Sequence, residues 1–212
     1  MKYILYCAIR KKSLINETLY SIASINTVAK INQYTIVIVT DMPECFKQEL
    51  RKKFFLNFNN IIIEPVSKAM VDNWIGESQY IYRVKIKAIE LFFYKYKDNV
   101  CFLDCNIFVK RDFDSLFDLI DQNYFIMFDQ YVINNREIIK ILFPNYRPGT
   151  IDYIKHDYIE VNTANQHYKI SLDSSFFLSA VLGINYEYRA LLSQVLQFND
   201  NLFNITGFSS SE

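Results

Sequence analysis

Residues 78–117 (SQYIYRVKIKAIELFFYKYKDNVCFLDCNIFVKRDFDSLF) hold the side chains best suited to work on a phosphorylated ligand. Arg83 and Lys87 are cations, and Asp104 and Asn106 are oxygen donors on either side of Cys105. Arginine grips phosphate through paired N–H donors, lysine through a point charge. An Asp and an Asn so spaced offer oxygen ligands, one a carboxylate and the other a neutral carbonyl. Arg10 adds a cation near the start of the chain, and Asp173 and Asp200 add carboxylates near its end.

These residues need elements to carry them. Residues 83–95 contain no Gly or Pro, and Val84, Ala88, Leu91 and Phe92 recur at helical spacing. Arg83, Lys87 and Glu90 share another face of that helix. Lys97, Asp98 and Asn99 stop it. The apolar run 100–103 reads as a strand from the middle of a mostly parallel sheet. Asp104 then falls at the carboxyl end of that strand, the edge at which ligands bind in open α/β sheets. Residues 107–109 read as a further strand-like segment and 112–121 as a helix.

The chain before this stretch alternates. Residues 2–9 are an unbroken apolar strand, closed by Arg10, Lys11 and Lys12. By itself that basic run reads as a solvated turn at the carboxyl end of the strand. A helix follows over 13–31, with Asn16 as its N-cap, then a strand over 34–40 closed by Asp41 as a turn cap. A helix over 44–58 leads to a strand over 61–64, cut by Pro65. The order β, α, β, α, β is that of a wound α/β sheet. Residues 67–79 are a connection in which Trp74 either stacks on a base or simply packs.

After residue 121 the expectation is a strand over 125–129 ending in Asp129, a helix over 134–143, and a loop over 145–156. A short strand over 158–162 lies between His156 and His167, both read as surface or hydrogen-bonded residues. An apolar strand follows Asp173, and a helix over 186–197 precedes Asp200.

Composition bounds the function. The 212 residues are 51% hydrophobic and 17% aromatic, enough for a sizeable core in one domain, 1–212. The 23 basic and 23 acidic residues cancel, which argues against nucleic acid as a partner. The four cysteines form no CxxC pair, which argues against zinc and fits a reducing, cytoplasmic setting. No run of apolar residues is long enough for a transmembrane helix, and the opening apolar run reads as a strand rather than a signal peptide. No GxGxxG, GxxxxGK[ST] or GxSxG occurs, so dinucleotide, P-loop and hydrolase readings are weak.

The order Tyr80-Ile81-Tyr82-Arg83, helix, aromatic-rich turn, apolar strand, Asp104-Cys105-Asn106, Ile107-Phe108-Val109, Asp112 and Leu116-Phe117 resembles the GT-A nucleotide-sugar glycosyltransferases, family 8-like. Asn106 stands at the second acid of that family's Asp-x-Asp motif. The resemblance implies a GT-A-like α/β domain, its nucleotide-binding half over about 1–110 and its acceptor half over about 111–212. It implies a nucleotide-sugar donor, with a UDP-sugar favoured, and a glycan or other hydroxyl acceptor. Ala8, Ile9, Arg10, Arg83, Lys87, Asp104 and Asn106 would bind the donor, with Asp104 and Asn106 on the divalent cation, Mn²⁺ or Mg²⁺. Asp173 and Asp200 would be catalytic, matching the family's Asn-Ser-Gly and Asp-Gln elements; Asn162-Thr163-Ala164 is the other placement of the first. Peripheral membrane contact is compatible with this reading.

Two alternatives stand beside it. One is a catalytically degenerate domain that only binds a nucleotide sugar or a protein partner, favoured by Asn106 and by the absence of the family's His-x-x-Gly-x-Lys. The other is that Arg83 and Asp104 pair with each other and merely tie helix to strand.

Overall fold

The computed structural model describes residues 1–29, 33–52, 60–76, 81–134, 158–162, 166–171 and 175–206. Its centre is a six-stranded sheet in the order β3-β2-β1-β4-β8-β5. β1 (Lys2–Ala8), β2 (Tyr34–Thr40), β3 (Ile61–Pro65) and β4 (Val100–Leu103) are parallel. β8 (Ser175–Ile184) runs antiparallel to β4 and to β5 (Ile126–Asn134). A separate hairpin pairs β6 (Tyr158–Asn162) with β7 (His167–Ser171).

The unbroken apolar runs form central strands because both faces of the sheet are covered. Alternate side chains divide between two cores. Ile4, Tyr6, Ala8, Ile36, Ile38, Cys101 and Leu103 face α1 (Ser13–Val28), α2 (Pro43–Lys52) and α5 (Asp114–Asp121). Leu5, Ile9, Val37, Val39, Val100 and Phe102 face α3 (Lys68–Ile75), α4 (Arg83–Tyr96) and α6 (Leu191–Thr206). Gly183 in β8 is required by close packing. A Cβ there would stand 2.7 Å from Ile120 Cδ1 and 2.8 Å from Ile126 Cβ.

The mostly parallel α/β sheet expected from the sequence is present, with differences in detail. Residues 67–76 are not a plain connection but contain α3. Ser67 caps it by accepting from the Met70 N–H at 3.1 Å, and Gly76 ends it at φ 70°. Helix α1 starts at Ser13, ahead of the expected Asn16 cap. Residues 107–109 form no strand. Asp129 lies inside β5 rather than at its end. A 3₁₀ segment, Tyr186–Ala190, precedes α6, and α6 runs to Thr206, so Asp200 is within a helix rather than after one. The expected helix over 134–143 beyond Asn134, the 145–156 loop, His156 and Asp173 lie outside the described residues.

Candidate ligand site at the carboxyl edge of the sheet

The parallel strands set the geometry. β1 pairs with β4 through Tyr3–Val100, Ile4–Cys101 and Leu5–Phe102, so their carboxyl ends finish side by side. Asp104 follows β4 directly, and its N–H donates to the Ala180 carbonyl of β8 at 2.8 Å. Alternation then sorts the next side chains. Asp104 is half-buried, Cys105 turns into the core and Asn106 is exposed. The Cys105 thiol donates to the Cys7 carbonyl at 3.3 Å, and burial pushes it up to about 11.

Asp104 has a firm partner, and it is not Arg83. The Lys85 ammonium sits 2.7 Å from Asp104 Oδ1 and 2.8 Å from Oδ2. Both side chains are largely enclosed, with relative exposures of 20% and 26%. The ammonium also lies 5.1 Å from the centre of the Tyr82 ring and 5.9 Å from that of Phe102. Lys85 shares a stripe with the buried Ala88, Ile89 and Phe92, three, four and seven residues on. That stripe faces the sheet, and in the first turn of α4 it overhangs the sheet's edge.

Arg83 stands on the opposite face. Its Nε donates to Asp200 Oδ1 at 2.7 Å and its Nη2 to Oδ2 at 2.9 Å, a bidentate grip on α6. Its Nη1 donates to the Trp74 carbonyl at 2.5 Å. Gly76 leaves room for the guanidinium, since a Cβ there would meet Nη1 at 3.3 Å. Arg83 therefore fastens α3, α4 and α6 together. Lys87 follows on Arg83's side of the helix, roughly 160° from Lys85 at 100° per residue. It pairs with Glu90 at 2.7 Å and is not brought to Asp104.

Arg10 completes the edge. Ala8 and Ile9 are buried in the two cores, so Arg10 is the first residue after β1 to emerge. A hydrogen bond from the Lys11 N–H to the Ile9 carbonyl, 2.9 Å, closes a three-residue turn on Arg10 at φ 67°. This is a costly backbone state for a residue with a Cβ. The Arg10 N–H donates to Asp41 Oδ1 at 3.0 Å, and its guanidinium pairs with Asp72 of α3. The cluster is compact enough for Lys85, Asp104 and Asp41 all to act on the Cys7 thiol, which burial first of all pushes upward.

The structure thus gathers Arg10, Asp41, Lys85 and Asp104, with Arg83 and Asp200 bracing the helices behind them. Sequence reasoning missed Lys85. Its signal was a cation in line with an apolar helical stripe, a position that demands an anion on the sheet side. Trp74 is half-buried and packs against the α3–α4 core.

The donor set does not suit a resident divalent cation. Of its two carboxylates, Asp104 already carries an ammonium on both oxygens and Asp41 accepts from the Arg10 N–H, and Asn106 is exposed. Among the described residues no three His, Cys, Asp or Glu side chains come together as metal ligands. A cavity of ≈ 610 Å³ opens at the far end of α4, between Phe93, Lys97, Tyr186 and Arg189, and shares no residue with this edge. No described helix is long and apolar enough to cross a membrane.

No protein-family model matches the sequence, and no curated protein matches it. Solved structures do match the fold. Mouse xyloside xylosyltransferase 1 superposes with a TM-score of 0.60 at 16% identity, over 98% of this chain and 77% of that one. The galactosyltransferase LgtC, solved with donor and acceptor sugar analogues, gives 0.57 at 15% identity, over 97% and 69%. The S. cerevisiae mannosyltransferase Ktr4p gives 0.51 at 13% identity, over 98% and 62%. The fold is that of the GT-A glycosyltransferases.

Proposed function

We propose that this chain is a glycosyltransferase that moves a sugar from a nucleotide-diphosphate sugar, with a UDP-sugar favoured, to a glycan or other hydroxyl acceptor. The observation that carries the reading is the Lys85–Asp104 ion pair at the carboxyl edge of a GT-A sheet, the edge at which the Arg10 turn also closes β1. Ligands of open α/β sheets bind at that edge.

The chemistry needs stabilisation of a leaving diphosphate. The bond between the sugar's anomeric carbon and the β-phosphate oxygen breaks, and its electron pair leaves with the nucleoside diphosphate. The acceptor oxygen takes the carbon's vacated bond, and its proton passes to the departing diphosphate or to water. Positive charge at the departing oxygen lowers this barrier most. Lys85 and Arg10 are the cations of the edge, with Asp104 holding the Lys85 ammonium in place. On this reading the Ala8–Arg10 backbone, at the end of β1, contacts the base and ribose. Arg83 and Asp200 act behind the site by fixing the first turn of α4, and Asp173, on the sequence match alone, orients acceptor or sugar. On this reading the donor half spans about 1–110 and the acceptor half about 111–212.

One observation favours a second reading, a domain that binds a nucleotide sugar or a protein without turnover. The cations Arg10, Lys85 and Arg83 each already carry a carboxylate. Release of nucleotide from a panel of UDP-, GDP- and CMP-sugars, with hydroxyl acceptors added, separates the two. Turnover of one donor, lost in Asp104→Ala, is the expected result. Binding without turnover for every donor supports the second reading, and neither binding nor turnover contradicts the transferase and leaves the protein-binding form of the second reading.

A further inference from the structure

We infer that the Lys85 ammonium is a built-in cation standing where a diphosphate-bridging metal would otherwise sit, so that donor binding at this edge is independent of divalent ions. This rests on the nucleotide-sugar reading above and adds its charge chemistry.

The steps are physical. A divalent ion at Asp104 would have to share the carboxylate with the Lys85 ammonium, which sits on both oxygens at 2.7 and 2.8 Å, and the two cations repel. The pair is net neutral, so an arriving dication would meet no excess negative charge and would have to expel the ammonium. Asn106 supplies at most a neutral carbonyl, and it faces solvent. Lys85 cannot easily swing away. It leaves the first turn of α4 between the Tyr82 and Phe102 rings, and Arg83 locks that turn to α3 and α6. An ammonium has three donors. Two directions are taken by Asp104, which leaves one to aim at a diphosphate oxygen past the edge. The carboxylate thereby becomes a holder of the cation that meets the phosphate, and a neutral residue at 106 is tolerated because no metal needs it.

The test uses wild type, Lys85→Gln, Lys85→Arg and Asp104→Asn, each checked for fold by circular dichroism. UDP and GDP are titrated calorimetrically in EDTA and in Mn²⁺, and Mn²⁺ alone is titrated by electron paramagnetic resonance. For wild type, equal nucleotide affinity in EDTA and Mn²⁺ is expected. Lys85→Gln should bind nucleotide roughly ten- to a hundredfold more weakly in EDTA, the loss of a charge-assisted hydrogen bond. Mn²⁺ should recover part of that loss, and Lys85→Arg should keep most of the affinity. A structural role for Lys85 would not create metal dependence. Wild-type affinity that rises about tenfold or more with Mn²⁺, a step of about 1.4 kcal/mol, would overturn the inference. So would a Mn²⁺ site in wild type that is lost in Asp104→Asn. If wild type binds no nucleotide at all, the transferase reading fails, and the Mn²⁺ titration still decides. Mn²⁺ bound by Lys85→Gln and not by wild type supports the inference; equal binding contradicts it. If Lys85→Gln does not fold, Lys85→Arg and the wild-type titrations carry the same decision.

Discussion

The two ends of the parallel sheet use the same chemistry to opposite effect. At the amino end, Lys2 pairs with Asp114 at 2.6 Å and the Tyr34 hydroxyl donates to the same carboxylate at 2.8 Å. Beneath them Tyr34 stacks on Phe113, centroids 5.2 Å apart, and leans on the fully buried Phe117. Charges there decorate a seam the aromatic core already closes. At the carboxyl end, Arg10, Lys85 and Asp104 project past the core from a strained turn, a first helical turn and a strand end. The amino end is therefore stabilised by burial and the carboxyl end by pairing. The paired end is the one whose charges project past the core toward a ligand.

Substitutions sharpen that contrast. Phe117→Ala, at the amino end, should cost about 3–5 kcal/mol of stability, the usual range for a buried aromatic. Denaturant unfolding measures it, and the variant that remains folded should bind nucleotide as wild type does. Arg83→Ala should cost about 1–3 kcal/mol, since it leaves Asp200 and the Trp74 carbonyl without their donor. It should also weaken nucleotide binding by loosening the first turn of α4. Arg83→Lys should rescue little, because one ammonium cannot reproduce a bidentate fork. A Lys variant as stable as wild type would break the bracing role.

Two pH effects are smaller. Burial pushes the Cys101 and Cys105 thiols from 9.0 up to about 12 and about 11. The unfolded chain then releases protons that the folded chain keeps, so stability falls as pH rises above 9.0 and through about 11 to 12. Denaturation midpoints should drop across that window, and less in Cys101→Ala. The Asp114 carboxyl is held below its usual range, first by its hydrogen bond with Lys2. Its contribution is present above pH 3.8 and is lost as pH falls through the lower folded value. The pair is well exposed, so Lys2→Gln should cost under about 1 kcal/mol at neutral pH and flatten the acid limb. A larger loss would mean that charge, not burial, closes the amino end.

The sequence made the fold legible where apolar runs are continuous. β1, β2 and β4 stand where their runs predict, because strands covered on both faces need no alternation; edge strand β3 also follows its run, although none of its residues is buried. Strand direction was less accessible. Nothing in the side chains of β8 states that it runs against β4, since direction follows from how the chain returns and not from local pattern. Helix α3 escaped because its length is short and its caps, Ser67 and Gly76, were read as loop residues. At the sheet edge, the ends of the β4 and β1 runs mark Asp104 and Arg10 in the sequence. Arg83 was found too, but its partner is Asp200 rather than Asp104. Lys87 was placed with Arg83 by helical phase, and that same phase separates it from the sheet edge. Lys85 was hidden among core positions, where a charge is informative only once its anion is in view.

Hydrogen exchange read by mass spectrometry, with and without UDP- and GDP-sugars, tests the functional division between the two ends most directly. The expected result is new protection in peptides covering residues 7–12, 81–87 and 104–107, with residues 1–3 and 111–117 unchanged. Protection confined to the amino end, or none with any nucleotide sugar, would contradict it.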